Sequence, residues 1–282
     1  MWKLILPVIF IFILRAYPVI IRADIPDQEY IEYAKSSFFI PGLVVTRPEA
    51  PIHGSGVVIG QNFILTAGHI GSKDGPAGMP VIFQQKEYFV DHVFLFPGYI
   101  SNQNSASGCD LAILHIKGNG ISYIEPAKIW KGEVKTGMQV FGVGQGKSGT
   151  GVQKTDTVSG GVFRGYQNTI DFIGDNAHYN ILITDFDGPG NTGNSLASKV
   201  YAFDQEIDGD SSPAPLPLEG TLGAGDSGSG IWIKKDNFYY LVGIAAGRYY
   251  SCYNAQSLYV NLCNPEIYRW IRSVAGDYEI KE

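Results

Sequence analysis

Short apolar runs separated by Gly, Asn, Asp and Ser dominate the middle of the chain. They fall at 57–59, 63–65, 81–83, 88–95 and 111–116, then at 140–143, 158–166, 169–173, 181–184, 231–233, 239–246 and 258–262. Runs of this length and spacing predict antiparallel strands in all-β barrels, not a parallel sheet with crossover helices. Helical periodicity is confined to the two ends. Residues 27–36 start acidic and place Tyr30, Ile31 and Ala34 on one side. Near the C-terminus, Asn264 stands as N-cap, Pro265 opens the helix and Glu266 lies in its first turn. Ile267, Trp270, Ile271 and Val274 then recur at helical spacing until Gly276, a stripe expected to pack on the second barrel.

Within this pattern, residues 223–232 read GAGDSGSGIW. A serine between glycines on a tight turn is exposed, and main-chain N–H groups there come close to a substrate carbonyl. Alone, the run reads equally well as a Gly-rich turn. Two upstream segments bear on it. One apolar run ends in small residues and His69 (FILTAGH, 63–69); in the other, Asp110 directly precedes a continuous apolar stretch (CDLAIL, 109–114). A serine hydroxyl is a weak nucleophile until a base takes its proton, and the base needs a third group to fix its tautomer. His69, Asp110 and Ser227 are the three residue types required. They lie far apart in sequence, so spacing alone does not bring them together.

TAGH at 66–69, CDLAIL at 109–114 and GDSGS at 225–229, in the order His, Asp, Ser, resemble the chymotrypsin/trypsin-like serine proteases. Segments 52–59, 139–144, 241–247 and 257–263 resemble further strands of that family. The likeness runs from about residue 40 to about residue 275 and is least marked between about 146 and 218. It implies two six-stranded antiparallel β-barrels with a C-terminal helix. The first barrel (24–130) would carry His69 and Asp110, and the second (131–282) Ser227, with the cleft between them. The implied chemistry is acyl transfer from protein or peptide substrates to water, with an oxyanion hole from the main-chain N–H groups of Gly225 and Ser227. It requires no metal or organic cofactor.

Thr221 matches the base of the family's primary specificity pocket, and Gly247 and Ser257 match its walls. Trypsin itself has an aspartate at the base. An uncharged threonine implies a neutral side chain at the cleaved bond, with Arg248 either a solvated loop residue or a contact for acidic groups. Asp226 matches the aspartate that pairs with a new N-terminal amine in that family. The expected Ile-Val-Gly-Gly start about 40 residues before the histidine is absent; Gln28-Glu29-Tyr30-Ile31 stand there. The segments 24–26 and 30–42 also resemble the start of immunoglobulin A protease-type autotransporter proteases. Those continue into a β-helix and a membrane barrel, whereas this chain is expected to be released free.

Composition narrows the partners. A net charge of −6 over 282 residues offers no basic stripe for phosphates, so no nucleic-acid partner is expected. Lys3, the apolar residues 4–14 and Arg15 suit a signal peptide, being too short for the roughly 20 residues of a spanning helix. The expected leader is 1–23, cut after Ala23, with Ala16 as the alternative site. An uncleaved anchor is the other reading, since Val19-Ile20-Ile21 extend the apolar character. The mature protein is expected to be secreted, off the membrane and monomeric. In an oxidising compartment Cys252 and Cys263 are expected to pair, and Cys109 to be a small core residue. His53, His92, His115 and His178 show no metal-ligand spacing and read as core or surface histidines. Asp204–Asp210, with Asp185 and Asp187 nearby in sequence, reads as a solvated acidic loop or a calcium loop lacking the usual register. The alternative function is a catalytically silent binding or adhesion module on the same fold.

Overall fold

The computed structural model describes residues 19–36, 42–46, 52–72, 80–83, 86–97, 99, 108–153, 162–176, 179–191, 193–196, 199–202, 205–208, 211 and 213–276. The chain enters through β1 (Val19–Ile21) and α1 (Asp27–Ser36). Six strands then close an antiparallel barrel in the order β2-β3-β4-β7-β6-β5. They are β2 (Gly42–Thr46), β3 (Ile52–Gly60), β4 (Phe63–Thr66), β5 (Pro80–Phe83), β6 (Lys86–Leu95) and β7 (Ala112–Ile116). A single helical turn, α2 (Gly68–Gly71), interrupts them directly after β4. Val58, Ile64, Val81, Phe83, Leu114 and Ile116 fill the barrel. Strand β5 alternates buried and half-buried residues, while β7 is buried at four of its five positions because its other face meets the shared core.

The second half is built on β8 (Gln139–Gly144), β10 (Arg164–Thr169), β11 (Phe172–Asn176), β12 (Tyr179–Asp185), β16 (Gly230–Lys235), β17 (Phe238–Tyr249) and β18 (Gln256–Asn261). They form one antiparallel sheet in the order β10-β8-β16-β17-β18-β12-β11, one strand more than the resemblance implies. Of the predicted run 158–166, residues 158–161 lie outside the described residues, and the run 169–173 is displaced. The ladder occupies 164–169, and Ile170-Asp171 turn the chain before β11. Strands β13 (Lys199–Ala202) and β14 (Gln205–Asp208) make a separate hairpin where the acidic loop was expected.

Two small features depend on tertiary pairing. Strand β9 (Ser148–Thr150) and β15 (Gly220–Thr221) flank β1, parallel on one side and antiparallel on the other. Val19 and Ile20 are fully buried there and Ile21 nearly so. A boundary after Ala23 cuts β1 away from the fold that holds it; one after Ala16 leaves it in place. Helix α1 docks on β10 through Arg164, whose guanidinium is fully buried and bidentate to Asp27, with Nη2 2.7 Å from Oδ2. A buried planar fork against a carboxylate satisfies both charges at once.

Helix α3 (Pro265–Ala275) has the expected cap, with Asn264 Oδ1 accepting from the amides of Glu266 (2.9 Å) and Ile267 (3.4 Å). It does not pack on the second half alone. Ile267 and Ile271 join a cluster with Leu65, Leu111 and Ile113 of the first barrel and Trp232 and Val260 of the second, while Trp270 meets Phe96 edge-on at 5.2 Å. The helix is therefore a strap across both halves. The expected disulfide is corrected: Cys252 and Cys263 are both free. Strand β18 runs between them in sequence, and its five residue steps carry the chain about 17 Å, so bridging the pair would need the flanking turns to fold back within the ~7 Å limit between bridged Cα atoms. Cys109 packs beside the shared core. Among the described residues no helix is long and apolar enough to cross a membrane.

Candidate active site

The site begins where β4 ends. Thr66 is the last strand residue, Ala67 is extended, and α2 lifts His69 out of the barrel rim. Gly68 makes this possible, since a Cβ there would stand 2.9 Å from the Tyr99 ring and 3.0 Å from the Leu111 amide. The His69 turn is thereby seated directly on the segment that carries Asp110. Asp110 is only 1 % exposed, and both its oxygens are spent on His69. Oδ1 accepts the His69 main-chain N–H at 2.7 Å, and Oδ2 lies 2.8 Å from Nδ1. An ionised Asp110 places the imidazole proton on Nδ1 and leaves the Nε2 lone pair as the basic site. The imidazole is 30 % exposed, open to a substrate.

Ser227 arrives from the other half on the turn between β15 and β16. Asp226 organises that turn from inside, its carboxylate accepting the amides of Gly146 and Gly223, each at 2.8 Å. Complete burial pushes its carboxyl up to about 6 against those hydrogen bonds, which favour the charged form. Gly225 (φ +101°) and Gly228 (φ +88°) take conformations that L side chains rarely adopt. At Gly228 space is equally decisive, because a Cβ would lie 2.0 Å from the Ser55 carbonyl oxygen.

That contact marks how the two halves are joined. The Ser55 amide on β3 donates to the Ser227 carbonyl at 2.7 Å, and the Ser55 hydroxyl to the Gly225 carbonyl at 3.2 Å. The Thr66 hydroxyl in turn donates to the Ser55 carbonyl at 2.7 Å, three residues before His69. On its far side the turn donates from the Gly228 amide to Ala245 on β17 at 2.8 Å. The structure thus holds the Ser227 turn against the strands that deliver His69, and His69 on Asp110. No hydrogen bond joins the Ser227 hydroxyl to the imidazole in this structure. Catalytic hydrogen bonds of this kind commonly tighten only around bound substrate. Among the described residues no acceptor takes the amide of Gly225 or of Ser227, and Ser227 is half-buried.

Of the pocket residues, Thr221 and Ser257 meet through their hydroxyls, and Gly247 lies on the strand paired with β18, opposite Leu258 and next to Ser257's partner Arg248. The Thr221 and Ser257 hydroxyls are 2.6 Å apart, both fully buried, and the Leu222 amide donates to Ser257 at 3.2 Å. Gly247 lies at a bulge where β17 slips register against β18, and is half-buried. Arg248 turns back on its own loop, donating to the Tyr250 carbonyl and the Ser251 hydroxyl.

Behind β15 lies a set of buried acids that sequence reading did not assemble. Glu219 accepts the amides of Asp187 and Leu216, each at 2.6 Å. Asp185 accepts from the Leu196 amide at 3.1 Å and the Ser211 hydroxyl at 3.2 Å, and Asp171 from the Asp185 amide at 2.9 Å. Burial is the first cause of every shift here. It pushes Asp171 and Glu219 up to about 8 and Asp187 up to about 7, and raises Asp185. Ser55 and Thr66 were also missed as functional residues, because their roles depend on which strand faces the turn. His53 lies on β3, His178 falls outside the described residues, and His92 and His115 face each other on the first barrel.

No curated protein matches the chain. The family model described as Trypsin matches residues 43–199, more than half of the sequence, and stops short of the Ser227 turn. The match covers the closed barrel with His69 and Asp110, and the antiparallel strand geometry continues into the half that carries the Ser227 turn, which is hydrogen-bonded to Ser55 of the first barrel. On that match and that architecture, the chain belongs to the trypsin family.

Proposed function

We propose that the protein is a secreted serine endopeptidase. The observation that carries this is Asp110, buried and holding both the main chain and Nδ1 of His69, beside a Ser227 turn hydrogen-bonded into the same strand ends. In the reaction, Nε2 of His69 takes the Ser227 proton as Oγ attacks the scissile carbonyl. The imidazolium, stabilised by Asp110, then protonates the leaving amine, and water repeats the sequence on the acyl-enzyme. The amides of Gly225 and Ser227 receive the oxyanion; preorganised donors of this type contribute about 3–4 kcal/mol each. The uncharged Thr221–Ser257 pair at the pocket base supports cleavage after a neutral side chain.

The mature chain of this reading begins at or before Val19. A β-branched residue at φ +64°, as Val19 has, is an outlier that costs on the order of 1–2 kcal/mol. A chain starting at Val19 has no φ there, so that cost disappears. Its amine would enter alongside Ser148, whose buried hydroxyl has no partner among the described residues, two residues beyond the Gly146 amide that donates to Asp226.

A catalytically silent binding module is the second reading, favoured by the missing Ser227–His69 hydrogen bond. A fluorophosphonate probe separates the two. Stoichiometric labelling of the folded protein, abolished by Ser227→Ala together with casein cleavage, is the expected result. A folded protein that takes no label and cleaves nothing is the silent module.

A further inference from the structure

The outer face of the first barrel carries a second cluster of reactive side chains. His92 on β6 and His115 on β7 are direct cross-strand partners, and opposed Cβ atoms in such a pair lie about 5 Å apart. Asp91, next to His92, ought to point to the other face of the sheet. It does not, because the register slips between Val90 and His92, so that Asp91 and His92 together oppose His115. A bulge of this kind re-aims a side chain. Asp91 Oδ1 consequently lies 2.5 Å from His115 Nδ1 and 3.6 Å from His92 Nδ1.

Among the described residues, the candidate ligand atoms of these three all lie within 4.8 Å of one another. The rings are steered from outside the cluster: Phe63 meets His115 at 5.1 Å edge-on, and Phe94 stacks on His92 at 6.0 Å. The side chains are 35 % (Asp91), 72 % (His92) and 32 % (His115) exposed, so a hydrated ion reaches them without opening the fold.

We propose that Asp91, His92 and His115 form a three-ligand site for a divalent transition metal, with zinc the best match. Two imidazoles and one carboxylate are borderline-soft donors that suit zinc over calcium or magnesium, which take oxygen ligands. Three protein ligands leave a fourth position for water or a group from another molecule. The site is separate from the hydrolytic one. His115 lies on β7 five residues beyond Asp110, and the strand steps from Ala112 to His115 alone span about 10 Å. A bound ion would tie β6 to β7 on the barrel surface, and it is independent of whether the protein hydrolyses peptides.

Titration calorimetry with zinc chloride on the intact protein tests this, with cobalt absorption as a second readout. One zinc per chain is expected, with a cobalt d–d band and a raised melting temperature. His92→Ala, His115→Ala and Asp91→Asn should each weaken binding at least about tenfold, with circular dichroism and hydrolysis unchanged. Binding should survive His69→Ala, which removes the rival imidazole–carboxylate pair. Absence of one-to-one binding by the wild type, or binding unaltered in the triple variant, overturns the proposal.

Discussion

Asp110→Asn is the most informative single substitution at the site. Its remaining carbonyl oxygen keeps an acceptor for the His69 amide, so the turn stays seated. The amide nitrogen facing Nδ1 cannot accept a proton, which forces the imidazole into the tautomer with Nε2 protonated. The expected fall in kcat is about 10⁴-fold with an unchanged circular dichroism spectrum. A loss below tenfold in steady-state hydrolysis would show that the His69–Asp110 pair is structural. Individual residues also set the limits of sequence reading. Ser227, Asp110 and His69 stood out because each sits in a distinctive local string, whereas Ser55 and Thr66 sit in ordinary strands and gain meaning only from what faces them.

At the level of elements, β1 is the sharpest departure from expectation. Three apolar residues after a signal-like stretch read naturally as its tail, yet they fill a slot between β9 and β15. Burying side chains of this size contributes about 1.5–3 kcal/mol each, so a chain starting at Asp24 should lose on the order of 5 kcal/mol. A chain starting at Val19 should melt cooperatively well above the shorter one. Amino-terminal sequencing of exported protein should find a first residue at or before Val19; Asp24 as the first residue would defeat this reading. Helices α1 and α3 show the opposite case, since their acidic starts and apolar stripes, and the Asn264 cap of α3, are all local and their bounds were legible. The partner of α3 was not, because an apolar stripe does not say which of two barrels it meets.

For the whole molecule, the buried acids make stability depend on pH. Unfolded, Asp171, Asp187 and Glu219 titrate near 4; folded, they titrate at about 7 to 8. Their folded values are raised, so their contribution is full below pH 4. Between those values the fold retains protons that the unfolded chain has released, and stability falls as pH rises through about 8. The melting temperature should therefore decline from about pH 5 to about pH 9, and Asp171→Asn should flatten that decline. A melting temperature that rises over this range would contradict the raised values.

The sequence by itself determined the periodicity, the two helices and the three strings that name the reactive side chains, because strand alternation, capping and tight turns are local properties of the chain. Tertiary structure decided what lies between distant segments. It seated His69 on Asp110, docked the Ser227 turn through Ser55, drew Val19–Ile21 into a sheet, kept Cys252 and Cys263 apart and gathered Asp91 with two histidines through one extra residue in a strand. Each of those outcomes depends on register and on which faces meet, and neither is written in any window of neighbouring residues.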